Sequence, residues 1–385
     1  MVTTQTADDV LKSYYLNAVS DQLNKSANPL LARIKQTTSD VWGRDVRKAV
    51  RIGINGGISA GTETGDLPKA SGNRYAQFVA PLKNLYGTIE ISDKAIRASR
   101  SNEGAFVNLL NDEMEGLVKG ASFNFGRMLF GDGTGILSTA VSTTEGLLVE
   151  DIQNFAEGMV VDVMNDTEVY AEARTVITMD RQRKRIWLDG DTFAVNETMK
   201  AYVVLHGSKG MEITGLKALF TAPTLYGLDR NDYLNYWLKP YTADKVGELT
   251  EVKLQTAIDT VEERTGGKID FIVTSPGVRR AFAETLSKYR SIDTMDLEGG
   301  FSALSFNGIP VVADRFCPKN TVFLLSTPDF ALHQLCDWQW LEGEDGKILK
   351  QIPGKPVYTA TLVKYAELMC YRPCGQAMLT GVTEK

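Results

Sequence analysis

Residues 103–135 run EGAFVNLLNDEMEGLVKGASFNFGRMLFGDGTG. Within them Phe106, Leu109, Leu110, Met114, Leu117, Val118, Ala121, Phe125 and Met128 recur at spacings of three and four, with charged positions opposite. That period gathers the apolar side chains on one face and predicts a single amphipathic helix over Glu103–Phe130. At the usual rise per residue it would be roughly 40 Å long. Gly131 and Gly133 stop it, because glycine accepts the left-handed backbone in which helices end. Gly116 and Gly120, one turn apart, leave room for another backbone to approach.

Upstream, residues 51–75, RIGINGGISAGTETGDLPKASGNRY, hold six glycines and Pro68. This segment is too polar for a core and too long for a turn. Burying it would strand its backbone polar groups, so it is expected to project outward. Residues 77–92, QFVAPLKNLYGTIEIS, are rich in β-branched and aromatic side chains. Pairing of residues 49–54 with them predicts a long two-stranded ribbon with the Gly-rich loop at its tip. Before Asn28-Pro29, the positions Val10, Leu11, Tyr14, Tyr15, Ala18, Val19 and Leu23 form a short amphipathic stretch. It suits an arm that docks on something better than an independent domain.

Downstream of the helix the pattern changes. From about residue 144 to 208, short alternating runs at 159–164, 175–179, 185–188 and 201–205 are separated by polar turns, which predicts a small closed β-barrel inserted into the main fold. Residues 250–330 return to mixed structure. A helix over 252–264 ends at Gly266-Gly267, a strand covers Phe271–Thr274, and Ser275-Pro276 starts a second helix reaching about residue 288. Asn307-Gly308 between FSALSF and IPVVAD marks a hairpin, and Val322–Leu325 adds a strand. From Trp338 onward the chain is expected to be mostly strand, with a turn at Glu344-Asp345-Gly346 and a long extended run over 357–371.

Composition narrows the function. The chain has 385 residues, 42 Lys+Arg against 48 Asp+Glu, and 43% hydrophobic residues. That is ample for real cores and speaks against wholesale disorder. A net charge of −6 is wrong for a general nucleic-acid binder. No apolar run approaches the roughly 20 residues that span a bilayer, and MVTTQTADDV lacks the pattern of a secretory signal. A soluble, unsecreted chain with no membrane partner is expected. The charge is uneven: residues 1–100 hold 14 basic and 9 acidic side chains, the remainder 28 and 39. Such a split suits a basic N-terminal portion lying on acidic parts of a neighbouring copy.

Catalytic chemistry finds little material. His206 and His333 are the only histidines, so a His-rich metal site is excluded. Cys317, Cys336, Cys370 and Cys374 do not make the two tight pairs of a zinc ribbon, and are expected as reduced thiols. Neither 51–75 nor Gly131-Asp132-Gly133-Thr134-Gly135 completes a phosphate-binding motif, and no serine lies in GxSxG. The adjacent acids Glu262 and Glu263 point in different directions on a helix. No enzyme, cofactor or metal is expected.

In its order of features the chain resembles a tailed-phage major capsid protein of the Hong Kong 97 type. Residues 56–92, GGISAGTETGDLPKASGNRYAQFVAPLKNLYGTIEIS, resemble that family's extended loop. EGAFVNLLNDEMEGLVKGASFNFGRMLFGDGTG resembles its spine helix, and residues 305–330, SFNGIPVVADRFCPKNTVFLLSTPDF, its exit from axial to peripheral domain. The likeness covers nearly the whole chain but is one of pattern and order, since the family has no diagnostic short motif. It implies an α+β Hong Kong 97-like capsid fold. Its parts would be an N-terminal arm at 1–48, an extended loop at 49–90 and a peripheral domain with the spine helix at 91–143. An inserted β-barrel would follow at 144–212, a mainly axial domain at 213–328 and peripheral C-terminal strands at 329–385.

The resemblance further implies that arm and loop reach over neighbouring subunits. Gly56, Gly57, Glu63, Asp66, Lys69 and Arg74 would be the intersubunit contacts. The function implied is a major capsid (head) protein that self-assembles, through hexamers and pentamers, into an icosahedral shell in the virion, built in the host cytoplasm. Its partners would be other copies, a separate scaffolding protein (the arm follows Met1 almost directly), a portal, a decoration protein and packaged double-stranded DNA bound without sequence specificity. Lys69 lies where some relatives crosslink, without an assignable partner Asn. An encapsulin-like nanocompartment shell is the alternative within the same fold. A nucleotide-dependent enzyme using the Gly-rich segments is the alternative outside it.

Overall fold

The computed structural model describes residues 28–95, 103–288, 294–296, 302–343 and 346–385. The amphipathic stretch at residues 10–23 and the Glu344-Asp345 part of the expected turn lie outside the described residues. The main helices are α1 (Pro29–Arg33), α2 (Glu103–Phe130), α3 (Leu216–Thr221), α4 (Glu251–Thr265) and α5 (Pro276–Lys288). The period of residues 103–130 does produce one continuous helix. Met114, Val118, Phe125 and Met128 are buried on it, and the Gly131 N–H donates to Met128 O at 3.0 Å to close it.

α2 packs on a sheet built about the 14-residue strand Val357–Cys370. Leu117 closes on Gly87, where a Cβ would come within 2.8 Å of Leu117 Cδ1. Phe125 meets Trp338 edge to face, with ring centroids 6.2 Å apart. Val357–Cys370 is hydrogen-bonded along both edges, to Phe330–Trp340 and Lys350–Gln351 on one side and Lys83–Ser92 on the other. With Ala360, Leu362, Val363, Ala366 and Leu368 all buried, an open edge there would leave an apolar strand unpaired.

This pairing corrects the expected ribbon. Asp45–Ile52 pairs with Arg74–Pro81 and not with Lys83–Ser92, from Asp45 opposite Pro81 to Ile52 opposite Arg74, and Val41–Trp42 adds a third strand on its other edge. Pro81 has no N–H and ends the ladder. Lys83–Ser92 then leaves for the main sheet, because its buried Leu85, Ile89 and Ile91 need a covered face. Part of the segment expected as an arm packs on the body. Asn28 caps α1, accepting from the N–H groups of Leu30 (2.9 Å) and Leu31 (3.2 Å). Leu30, Leu31 and Ile34 are buried, and Lys35–Thr37 runs parallel to residues 331–333. Residues 28–37 therefore belong to the body of their own subunit.

A second, seven-stranded sheet has the order Tyr241–Ala243, Ala377–Leu379, Val322–Leu325, Phe271–Thr274, Ile309–Ala313, Ser302–Phe306, Thr294–Asp296. Its strands alternate between two cores. Ile272, Val311, Val322 and Leu324 pack with Leu254, Ala257 and Val261 of α4 and Val278, Phe282 and Leu286 of α5. Phe271, Val273, Val312, Phe323 and Leu325 turn to the core shared with α2 and the first sheet. The hairpin at Asn307 (φ 50°) and Gly308 (φ 78°) has the two left-handed residues that its sequence predicts. Residues 329–385 do not stay in one sheet. After Cys370 the turn Pro373–Gly375 redirects the chain, and Ala377–Leu379 inserts between Tyr241–Ala243 and Val322–Leu325.

Six strands close into a barrel: Ile136–Ser142, Leu147–Val149, Val160–Met164, Val169–Asp180, Arg185–Leu188 and Tyr202–Leu205. Leu137, Phe155, Val161, Val163, Val176, Ile186 and Val203 fill it. It begins upstream of residue 144, where alternation alone would start it. Ser138 hides the period, since it is buried and accepts the Asp151 N–H at 2.9 Å.

Entry to and exit from the barrel are clamped together. Arg127, near the end of α2, donates from Nη1 and Nη2 to Glu212 Oε2 (2.9 Å) and Oε1 (2.6 Å), and from Nε to Asn124 Oδ1 at 3.0 Å. Both charged side chains are 4% exposed. Removing one partner of such a pair leaves an uncompensated buried charge. Arg127→Met is expected to lower the unfolding free energy by about 3–5 kcal/mol, whereas Arg127→Met with Glu212→Leu recovers most of the loss. Urea denaturation checks this, and equal losses in both variants would contradict it.

Candidate functional site

The loop at residues 53–73, between the paired strands of the ribbon, contains five of the six expected contact residues, and Arg74 begins the returning strand. Asn55 Oδ1 accepts the Gly57 N–H at 2.9 Å, turning the outgoing limb. The two limbs then run close together: a Cβ on Gly57 would lie 3.2 Å from the Ser71 N and 3.7 Å from the Lys69 O. At the tip the Gly65 N–H donates to Thr62 O at 3.2 Å, which places Glu63 on the outermost turn. Gly56, Gly57 and Lys69 are thus brought together across the limbs. Glu63 and Asp66 lie further out, and Arg74 lies at the base. Five of the six are exposed and Gly57 is half-buried, and among the described residues Glu63, Asp66, Lys69 and Arg74 form no ion pair.

The chemically telling residues of this loop are ones that composition conceals. Ile54, Ile58 and Leu67 are 92%, 85% and 90% exposed, Tyr75 stands bare beside its base, and Trp42 stands bare at the other end of the ribbon, opposite Asp45. Full burial of an Ile or Leu stabilises by roughly 1.5–3 kcal/mol, so a surface covering the three would supply several kcal/mol. The signal was in the sequence, as three large aliphatics within a polar, Gly-rich stretch. The base itself is firmly held. Phe78 is buried, stacked on Trp237 with ring centroids 5.7 Å apart, and lies 5.1 Å from Tyr226.

Other polar groups have structural partners. His333 sits between Ser39 O and the Tyr371 hydroxyl, 2.8 Å from each, and burial pushes its pKa below the ordinary value. His206 Nδ1 lies 2.8 Å from Asp162 Oδ1. The four cysteines are unbridged, and burial raises the Cys317 and Cys370 thiols. Gly131–Gly135 follows the carbonyl end of α2, where a helix dipole repels phosphate. That geometry speaks against the nucleotide alternative.

No known sequence family matches the chain, and no curated protein matches it. Among solved structures, a chain of the cyanophage A-1(L) capsid asymmetric unit is similar over 94% of this chain and 92% of its own, at 11% identity and a TM-score of 0.53. A chain of Mycobacterium phage Bobi aligns over 100% of both chains at 8% identity and a TM-score of 0.48. The SrpI encapsulin of Synechococcus elongatus aligns over 92% of this chain and 86% of its own, at 12% identity and a TM-score of 0.47. The cyanophage likeness shows the fold: this chain has a mixed α/β fold in common with a phage capsid chain.

Two buried carboxyls have displaced pKa values. Burial pushes Asp314 up to about 6, although it accepts the Phe316 N–H at 2.8 Å. Glu367, on the central strand, is pushed up to about 7 by burial, which outweighs its hydrogen bonds from the N–H groups of Thr214 (2.7 Å) and Leu368 (3.2 Å). A carboxyl that holds its proton more tightly when folded stabilises below its unfolded pKa, near 4.5. That contribution is lost as pH rises through about 7. Glu367→Gln keeps an acceptor and removes the titration. The stability difference, variant minus wild type, should therefore rise by on the order of 2–3 kcal/mol between about pH 5 and about pH 8. Urea denaturation at the two pH values measures it, and a pH-independent difference would contradict the assignment.

Proposed function

We propose that this chain is a major capsid (head) subunit that self-assembles into an icosahedral shell around double-stranded DNA. The observation that carries this reading is the projecting loop. It holds three aliphatic side chains in water on a body whose fold is common to a phage capsid chain. A monomer gains nothing from such an arrangement, and a shell subunit needs it. On assembly Ile54, Ile58 and Leu67 become covered by a neighbouring copy, while Glu63, Asp66, Lys69 and Arg74 set the register.

In the same reading the seven-stranded sheet with α4 and α5 is the axial domain at the centres of hexamers and pentamers. The sheet about Val357–Cys370, with α2, is the peripheral domain, and the barrel is an insertion. The mechanism is contact: each loop adds a modest interface, and many copies sum these through multivalency. A net charge of −6 suits a wall that encloses DNA without holding it. Scaffolding protein, portal and decoration protein are further partners in this proposal, and the virion is its place.

Deleting residues 55–72 should leave folded subunits that form no shells. Replacing Ile54, Ile58 and Leu67 together by serine should reduce shell yield at least tenfold, because several kcal/mol per contact is lost. Electron microscopy of the purified protein reads both, with circular dichroism confirming the fold. Closed shells at normal yield from the deletion would sink the role given to the loop. Wild-type particles filled with a protein cargo and free of DNA would replace the capsid by a nanocompartment.

A further inference from the structure

Beside the root of the ribbon the chain turns through Tyr233–Leu238, a short 3₁₀ helix kinked at Asn235. Tyr233 is 83% exposed on it, and Leu234 and Tyr236 are exposed beside it. The three are held stiffly. Asp232 Oδ1 accepts the Leu234 N–H at 2.9 Å, Asn235 Nδ2 donates to Asp229 O at 2.9 Å, and Trp237 stacks on the buried Phe78. Lys239 Nζ lies 5.1 Å from the Tyr236 ring centroid. A tyrosine covers a large area for little loss of side-chain freedom, so a fixed pair of them makes a strong anchor for a partner. Of the charged residues in 229–239, Asp229 and Asp232 are exposed at the rim of this patch and Lys239 is half-buried. Arg230 is buried and donates to Leu219 O at 2.7 Å.

We infer that this aromatic patch receives the projecting loop of a second copy of the chain, with Leu67 seated on Tyr233 and Tyr236. The inference rests on the reading of the loop as an intersubunit element and names the surface that takes it. The subunit's own loop does not cover the patch, since the two tyrosines are exposed with residues 53–73 in place. The ladder of the ribbon supplies the reason. Phe78 marks the level of the patch, and four further residues of paired strand, roughly 13 Å at the usual rise, carry the chain out to Arg74, where the loop begins. A loop held out on paired strands cannot turn back onto its own root without breaking those pairs, so the occupant comes from another copy. Charge then selects the limb. Residues 67–74, LPKASGNR, carry Lys69 and Arg74 and no acid, which suits the rim formed by Asp229 and Asp232, and Lys239 is left for Asp66. Donor and receiver are different surfaces of one chain, so each copy gives one loop and takes one. A head-to-tail contact of this kind closes into rings when its rotation allows, which is the form that hexamers and pentamers need.

Thiol crosslinking between two variants of the full chain tests the contact. Cys336→Ser and Cys374→Ser first remove the partly exposed thiols. One preparation then carries Leu67→Cys and the other Tyr233→Cys or Tyr236→Cys, so a mixed disulfide joins different copies by construction. Mixed under assembly conditions and oxidised, at least one combination is expected to give that disulfide, read by mass spectrometry of the linked peptides, about tenfold faster than Leu67→Cys with the exposed Val252→Cys on α4. Absence of this acceleration overturns the inference, and closed shells seen by electron microscopy in the same sample would leave the shell reading standing. Acceleration in clusters that never close would support the inference and sink the shell instead. A double-mutant cycle gives a second reading. Tyr233→Ser with Tyr236→Ser, or Ile54→Ser with Ile58→Ser and Leu67→Ser, should each weaken subunit association about tenfold, and all five together should cost little more than either set. Sedimentation measures this, with circular dichroism confirming the fold. Losses that multiply would place the two sets in separate contacts and overturn the inference.

Discussion

The paired hydrogen bonds between Arg127 and Glu212 hold the molecule to a single arrangement. One partner lies on the last turn of α2 and the other where the chain leaves the barrel, so the two ends of a barrel-forming segment are brought to one point. Beside them Gly215 permits the closest approach, since a Cβ there would overlap the Met128 carbonyl oxygen. An insertion whose ends meet can be accommodated without disturbing its host, because the host strands continue as though it were absent. The charges themselves add little net stability, since desolvation offsets most of the Coulomb gain. What they contribute is exclusivity, because any packing that separates them leaves a charge buried alone.

The rest of the body follows from that clamp. With the end of α2 fixed, Phe130 packs 6.1 Å from Phe323, and Phe220 of α3 packs 5.5 Å from the same ring. Those contacts join the helix to the seven-stranded sheet, while Leu117 and Phe125 join it to the other sheet. The barrel has further ties to the body through Lys319, 3.9 Å from Asp151, and Gln153, which donates to Phe316 O at 3.4 Å. The ribbon is anchored only at its base, where Phe78 and Val46 are buried. A rigid base with an exposed tip suits a reaching element: the body loses nothing when the tip finds a partner.

Local pattern and long-range pairing differ sharply in how well the sequence reveals them. α2 is legible because its period repeats over 28 residues. α4 is legible because Thr250 caps one end and Gly266 closes the other, and the hairpin at Asn307-Gly308 because its two residues tolerate left-handed backbone. The ribbon was only half legible. β propensity marks residues 77–92 as extended but does not name the partner, and Pro81 divides that partner between two sheets. Residues 28–37 look like an arm in a linear reading, and only Leu30, Leu31 and Ile34 in the core show otherwise. Arg127 with Glu212, or Glu367 with Thr214, could not be foreseen, because their partners lie 85 and 153 residues apart. At the candidate site the glycines and charges drew attention, while Ile54, Ile58 and Leu67 were averaged into a polar composition.

The uneven charge of the chain now has a quantitative place. Within residues 1–100 some charges pair with one another, Lys48 at 2.6 Å from Asp40 and Arg47 at 3.5 Å from Asp45, and these pairs leave the basic surplus unchanged. Lys69 on the loop and Arg74 at its base stand against Glu63 and Asp66, so loop and base together are close to neutral. An exposed ion pair contributes about 0–1 kcal/mol and is screened over a Debye length of roughly 10 Å in ordinary salt. Each of the three bare aliphatics contributes about 1.5–3 kcal/mol when covered. In the proposed shell, affinity at the loop would come from the aliphatics, and charge would select among the positions in which they are buried. That division of labour would suit the proposed shell, whose assembly has to correct its errors. In the proposed shell, weak, screened pairs would let a wrongly placed subunit leave, and the apolar contacts would hold the one that fits.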